Sequence, residues 1–393
     1  MKLKFLGSGS AFNTKLGNTS AYIINGSELI LIDCGSTVFK QIIANKLINN
    51  DITTINVYVT HTHPDHMGSL GDLIFYCYYN LNITINVFCV DSNIKNILDN
   101  QGCKDHYDFI QLQYDVQRVN KKYKVIPIET KHVDEIISSG FLFEFDDETF
   151  YYSGDSYTIP DGILDLFHNN KIDYLFQDVS GLNYDGNPHL YIETLDYLIN
   201  TNRKKVYCMH LDDTLYKYKE LISKYRFNIV QNEFDKNAIY AGSFDPITLG
   251  HLNVIKKASK MFDKVIIGVL VNSKKNSLFT LDERKEQIQK VIEDSKLYNV
   301  EVQIFDGLTV DFAKQNNAKY LIRGVRNTID FEDEQLINSV NKKLSENIET
   351  ILLIADEKYK LMSSSLVKEL GTNNSDISWL VPECILSEVQ NKF

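Results

Sequence analysis

The sequence predicts an α/β protein of two domains: a strand-rich half of mixed character, followed by a Rossmann-like, doubly wound parallel sheet. Three observations predict it. A length of 393 residues is long for one core and ample for two. Residues 1–234 hold many short β-branched and aromatic runs, whereas strands and longer helices alternate cleanly from 238 onward. The halves also carry unrelated polar motifs, H-T-H-P-D-H at 61–66 and G-S-F-D-P-I-T-L-G-H at 242–251.

In the first half, runs such as I-N-V-Y-V-T and K-V-Y-C-M read as strands. Strands are expected at 2–6, 21–25, 28–33, 55–60, 83–90, 140–146, 149–153, 173–178, 205–209 and 227–231. Helices are expected at 37–48, 69–79, 92–100, 191–201 and 214–224. In the second half the strands fall at 238–241, 264–270, 300–304, 319–322 and 349–354. The helices between them fall at 250–261, 281–295, 309–316 and around 330–345. The junction E-F-D-K-N at 233–237 is short and polar, with no Gly/Ser-rich tether.

A formal net charge of −11 argues against nucleic acid as a partner, since binding it needs basic surface that displaces counterions. A local Lys/Arg cluster could still reverse the field inside one cleft. The six cysteines are scattered without a C-x-x-C pair, as expected of free thiols in a reducing compartment. No apolar run reaches the length of a membrane span, and the chain opens on a strand-like K-L-K-F-L; a cytoplasmic protein is expected.

The second motif sets Gly242, Pro246 and Gly250 between a strand and a helix that begins near His251. Such a turn aims backbone N–H groups and the positive helix end at a phosphate. Alone, it would read equally well as a tight turn with a capping histidine. It is joined by Lys275, by Arg323 and Arg326 in L-I-R-G-V-R, and by Ser363, Ser364 and Ser365 at a helix start. On a parallel sheet these groups converge on one crevice and suit two phosphorylated reactants.

Residues 238–393, within a domain spanning 235–393, resemble phosphopantetheine adenylyltransferase. The resemblance implies transfer from ATP to 4′-phosphopantetheine with Mg²⁺, giving dephospho-coenzyme A and pyrophosphate, by a homo-oligomer, the family's hexamer. It implies that Ser243 and Phe244 line the reactant junction and that His251 binds ATP and stabilises the transition state. Lys275 and Arg323 would hold the pantetheine phosphate, with Thr309 on its arm. Gly324, Val325, Arg326 and Glu334 would form the nucleotide side with Tyr359, Lys360, Leu361, Met362, Ser363, Ser364 and Ser365. Cytidylyltransferases and nicotinamide-nucleotide adenylyltransferases share the first turn, but generally differ at the two later segments.

In H-T-H-P-D-H three imidazoles and a carboxylate lie within six residues, a set that packs poorly unless it coordinates something. His132, Asp155 and His210 fall at further strand ends. Residues 1–234 resemble the metallo-β-lactamase superfamily, an αββα sandwich, nearest to its ribonuclease Z-like and phosphodiesterase-like members. The resemblance implies two divalent transition metals, zinc by expectation. His61, His63 and His132 would hold one, Asp65, His66 and His210 the other, with Asp155 bridging. Asp65 could instead act as the base for the attacking water, and His189 lies where relatives keep a histidine near the leaving group. The superfamily hosts esters, thioesters, phosphodiesters and lactams, so the substrate stays open. Fusion to a coenzyme A enzyme suggests a related thioester or phosphodiester. The competing reading makes this half a non-catalytic regulatory or assembly module tethering the transferase.

Overall fold

The computed structural model describes residues 2–120, 122–217, 222, 224–271 and 277–393, and divides into two units, Met1–Phe234 and Asp235–Phe393. The first unit holds two sheets. One has the order β1 (Lys4–Gly7), β2 (Ser20–Asn25), β3 (Glu28–Ile32), β4 (Thr54–Tyr58), β5 (Ile85–Cys89), β6 (Tyr107–Gln111). The other contains β7 (Arg118–Val119), β8 (Lys124–Glu129), β9 (Ser139–Glu144), β10 (Thr149–Tyr152), β11 (Tyr174–Asp178), β12 (Val206–Met209) and β13 (Asn228–Ile229), ordered from β13 to β7.

The layering follows from two-residue periodicity in strands buried on both faces. In β3, Ile30 and Ile32 join Phe5, Tyr58, Phe141, Phe143 and Phe176 in the core between the sheets. Leu29 and Leu31 face the other way, into a layer with Ile42, Leu70 and Leu73 of the covering helices. On the second sheet Leu175 and Val206 meet Ile163, Phe167 and Leu195 of its own helices. The result is an αββα sandwich. Strands β3 to β6 run parallel, as do β10 to β13, so functional loops leave each sheet at the C-terminal ends of those strands.

The helix expected at 37–48 ends at Ala44, just before Lys46 adopts a left-handed φ of 52°. The strand expected at 227–231 shortens to Asn228–Ile229, and part of the helix expected at 214–224 lies outside the described residues.

The second unit is a five-stranded sheet, all parallel, ordered β16 (Val300–Phe305), β15 (Lys264–Leu270), β14 (Asn237–Gly242), β17 (Tyr320–Val325), β18 (Glu349–Ile354). Its strands are again buried on both faces: Tyr240 enters one apolar cluster, Ile239 and Ala241 the other. The strand order reverses beside β14, and at such a switch point a parallel sheet opens a crevice for ligands. Among the described residues, no helix is long and apolar enough to cross a membrane.

Candidate functional site

The metal-ligand candidates gather at the C-terminal strand ends of the sandwich. His61 and His63 follow β4, and a short helix, Pro64–Met67, carries Asp65 and His66. His132 follows β8, Asp155 follows β10 and His210 follows β12. The short helix sits tightly against the loop after β3, where a Cβ on Gly35 would lie 1.9 Å from the Asp65 carbonyl oxygen.

Three overlapping groups form, all containing Asp155, the ligand atoms of each lying within 4.8 Å of one another: the two expected ligand groups, His61, His63, His132 with Asp155 and Asp65, His66, His210 with Asp155, and a third of Asp178, His189 and His210 with Asp155. In the first, His63 Nδ1 lies 2.9 Å from His61 Nε2 and 3.2 Å from His132 Nε2. Ligands about 2.0–2.1 Å from one tetrahedral metal stand roughly 3.3 Å apart, so this crowding has the dimensions of a coordination shell. In the second, Asp65 Oδ2 lies 3.4 Å from His66 Nε2 and 3.2 Å from His210 Nε2. Asp155 places Oδ1 3.2 Å from His66 Nε2 and Oδ2 3.4 Å from His210 Nε2.

The outward ring nitrogens explain why these lone pairs converge. His132 Nδ1 donates to the Pro188 carbonyl at 3.1 Å. His66 Nδ1 meets Asp33 Oδ2 at 2.9 Å, and the Thr60 hydroxyl, which donates to Asp33, accepts from His61 Nδ1 at 3.0 Å. Each bond puts a proton on Nδ1 and turns Nε2 inward. Buried His66 Nε2 and Asp155 Oδ1 face each other at 3.2 Å without meeting in hydrogen-bond geometry, and neither has another hydrogen-bond partner among the described residues. The donor set therefore fits two divalent cations.

Charges in the pocket are polarised accordingly. Burial and neighbouring His66 hold His61 well below the usual imidazole range. Burial would also lower His66, but Asp155 and Asp33 outweigh it and lift the ring well above that range. Burial likewise opposes the charge on His210, yet Asp155, Asp178 and Asp65 raise it to about 10. Asp155, against the pull of burial, is held well below the carboxylate range by His210 and His66.

Two carboxylates not singled out in the sequence complete this arrangement. Asp33 orients His66 and Thr60, while Asp178 takes His189 Nδ1 at 2.7 Å and lies 3.4 Å from His210 Nδ1. The only signal available was an acidic residue closing a largely apolar strand, in L-I-L-I-D and Y-L-F-Q-D. A cleft of about 610 Å³ opens over the cluster, rimmed by Phe12, Leu182, Tyr184 and His189. Among the described residues its lining includes no lysine or arginine.

In the second unit, β14 ends at Gly242, and Phe244 takes a left-handed φ of 44° before the helix Leu249–Met261. Thr248 caps that helix: its hydroxyl accepts from the His251 N–H at 3.3 Å, while its own N–H donates to His251 Nδ1 at 3.1 Å. The accepting Nδ1 makes His251 a neutral ring with its proton on Nε2. Burial, helped by the charge of Arg326, pulls that ring down to about 4.

Arg323 and Arg326 leave the end of β17 held by carboxylates of the helix Thr328–Leu344. Arg323 Nε meets Glu334 at 2.6 Å, and Arg326 is forked onto Asp330 at 2.9 and 3.2 Å. Gly324 and Val325 lie within β17, and Glu334 thus grips an arginine. Arg326 Nη1 also reaches the Met362 carbonyl at 3.3 Å, and Ser364 Oγ donates to the Pro246 carbonyl at 2.8 Å. Ser363 caps the helix Ser364–Thr372. The turn, His251, Arg326, Met362, Ser363 and Ser364 thereby gather at the C-terminal end of the sheet.

The remaining candidates are placed less centrally. Thr309 opens the helix Thr309–Gln315 after β16, Tyr359 ends a single 3-10 turn, and Ser365 is exposed. Lys360 pairs with Glu357 and Leu361 is exposed. Lys275 lies outside the described residues. The segment after it is fastened by Asp245, whose carboxylate accepts from Leu278 and Phe279 N–H at 3.0 and 2.9 Å and pairs with Lys368. Buried Arg284 donates to the Ser243 carbonyl at 2.9 Å.

Fold and site define a metallo-β-lactamase-like sandwich joined to a nucleotidyltransferase domain. The family described as "Anti-Pycsar protein Apyc1" matches residues 1–234, and a cytidylyltransferase-like family matches 239–370. The chain is 48% identical over 158 residues to the phosphopantetheine adenylyltransferase of Lachnoclostridium phytofermentans, covering 40% of this chain and 96% of that one. With the Clostridium botulinum enzyme of the same name it shares 48% over 157 residues, covering 40% and 94%. The metallo-β-lactamase fold protein YhfI of Bacillus subtilis shares 16% identity, covering 58% of this chain and 94% of that one, with a TM-score of 0.47. The short form of human tRNase Z shares 18%, covering 59% and 96%, with a TM-score of 0.44. The chain therefore belongs to the anti-Pycsar Apyc1 family through its first 234 residues and to the phosphopantetheine adenylyltransferases through its second unit.

Proposed function

We propose that residues 235–393 transfer the adenylyl group of ATP to 4′-phosphopantetheine. A phosphate oxygen of phosphopantetheine attacks the α-phosphorus, the bond to the β-phosphate breaks, and dephospho-coenzyme A and pyrophosphate result. The observation that carries this reading is the neutral, Nε2-protonated His251 at a helix start, set beside Arg326 and the serine-rich cap. Such fixed donors stabilise charge that develops on the transferring phosphoryl group without reorganising. Arg323, with Lys275, would hold the acceptor's phosphate; Ser243 and Phe244 would flank the junction. The crevice side of Arg326, Met362 and Ser363 would take ATP. Asp245, Asp330 and Glu334 each already hold a cationic side chain, so Mg²⁺ would ride on the triphosphate. Pyrophosphate release by the full-length protein tests this: 4′-phosphopantetheine should stimulate it strongly, and release indifferent to that acceptor overturns the reading.

The first unit reads as a hydrolase. His61, His63, His132, Asp65, His66, His210 and the shared Asp155 would hold two divalent cations, with zinc suited to the imidazole-rich set. Metals there would lower the pKa of a shared water and polarise the scissile bond. Asp65 lies within reach of both His66 and His210, which supports a ligand's role over that of a free base. His189, held by Asp178 in the cleft lining, would serve the leaving group through its other nitrogen. A lining without lysine or arginine among the described residues suits a substrate with one negative charge, neutralised by the metals, and a flat body lying against Phe12 and Tyr184. A small phosphodiester meets that description; coenzyme A esters, with several phosphate charges, do not. Assaying the metal-loaded protein on bis-p-nitrophenyl phosphate, a cyclic nucleotide and an acyl-coenzyme A decides it, and fastest turnover of the last rejects the phosphodiester.

The second unit would act as a homo-oligomer. No residue of the helix Thr328–Leu344 is buried, although it carries Ile329, Leu336, Ile337, Val340 and Leu344. A reducing, ATP-supplied compartment, the cytoplasm, suits six unbridged cysteines, five of them buried.

A further inference from the structure

The sandwich has a second cleft, of about 450 Å³, at the strand starts, the end of the sheet away from the metal ligands. Here the alternation that fills the inner core with Ile30, Tyr58 and Phe88 continues one step too far, into Glu28, Asn56 and Asn86. These three polar residues on adjacent strands form a chain: Asn86 Nδ2 donates to Asn56 Oδ1 at 2.8 Å, and Asn56 Nδ2 donates to Glu28 Oε1. Asn120 Nδ2 and the Tyr123 hydroxyl donate to the same oxygen at 3.1 and 3.2 Å.

The asymmetry of that carboxylate is informative. Glu28 is only 7% exposed, yet all its donors converge on Oε1, and Oε2 accepts from none of the described residues. Oε2 thus stands free to accept from an N–H donor that enters the cleft Glu28 lines. The cleft also holds two cations. The Arg118 guanidinium, on an exposed residue, lies 4.8 Å over the Phe88 ring, and no carboxylate of the described residues is paired with it. Lys122 Nζ donates to the Asn25 carbonyl at 3.2 Å and meets no carboxylate of the described residues.

The geometry points to a binding site for a nucleoside monophosphate whose base carries an amino group. That amino group donates to Glu28 Oε2, the base stacks on the guanidinium plane of Arg118, and the phosphate meets Lys122. The site is separate from both reaction centres, so occupying it makes or breaks no bond.

Hydrogen–deuterium exchange on the full-length protein tests this, because it locates binding and so excludes the two other clefts. Cytidine 5′-monophosphate should slow exchange in segments 27–30, 54–58 and 117–120. Uridine 5′-monophosphate, lacking the amino group, should need about tenfold more ligand for the same protection. Glu28→Gln keeps an oxygen for the three donors and replaces Oε2 with an amide that repels the base; Arg118→Ala removes an exposed side chain and leaves folding alone. Both should weaken the cytidine effect about tenfold or more. Absent protection in these segments, protection unchanged in Arg118→Ala, or equal response to the two nucleotides overturns the proposal.

Discussion

His66 Nδ1 lies 2.9 Å from Asp33 Oδ2, and that contact fixes which of the two ring nitrogens faces the other candidate ligands. Asp33 itself is held by the Thr60 N–H at 2.8 Å and has a left-handed φ of 63°, so carboxylate and ring form one rigid unit. Asp33→Asn should weaken metal binding at the His66 side roughly 10- to 100-fold while leaving the fold intact. Metal titration against a competing chelator measures it, and unchanged affinity means the contact is only structural.

Asp155 is common to both ligand groups, whereas His132 belongs to one. Metal analysis of the purified wild-type protein should give two ions per chain, falling to one in His132→Ala. Asp155→Ala should lose both. A single ion lost from Asp155→Ala would show that the two sites fill independently. Chelation of the wild type should lower the melting temperature of the first unit, because the inward nitrogens and carboxylates lose the cations that reconcile them.

Legibility of these sites followed how locally their residues are encoded. His61, His63, Asp65 and His66 stand in one short run and announce themselves, whereas Asp33 and Asp178 join the cluster only through the parallel stacking of strands. The β8 strand was hidden by Pro127, which normally argues against a strand. It is tolerated because the two-residue β7 pairs only with Lys124 and Val125. The helix Asp161–His168 opens on Asp-Gly, which reads as a turn, and Glu383–Gln390 is too short for its periodicity to stand out. Regular alternation made the second unit easier: strands expected at 264–270 and 349–354 are Lys264–Leu270 and Glu349–Ile354.

An apolar helix face without partners on its own chain predicts association. Leu336, 69% exposed, and Val340 lie one turn apart on Thr328–Leu344. Leu336→Glu with Val340→Glu should shift the mass measured by light scattering toward the single chain, with little loss of monomer stability because neither side chain is buried. A wild-type protein that already scatters as a monomer removes the premise.

His251 both caps a helix and is proposed to act on phosphate, and the two roles separate by substitution. His251→Ala should lower turnover about 10²- to 10³-fold with little change in the Michaelis constant for ATP. It also strips the Thr248 N–H of its acceptor. His251→Gln can restore that acceptor, as glutamine does at this position of a capping box, without placing a ring N–H on the phosphate. Melting temperature should recover in the glutamine variant while turnover stays low; recovery of both would reduce His251 to a cap. The pH dependence has a defined sign. The folded ring sits near 4, below the unfolded value of about 6.5. Between those limits the unfolded chain binds the proton and the folded chain does not. This contribution to stability is therefore complete above about 6.5 and is lost as pH falls toward 4. Turnover should accordingly show no histidine titration between pH 6 and 8, and an inflection near 6.5 that disappears in His251→Gln would contradict the buried, neutral ring.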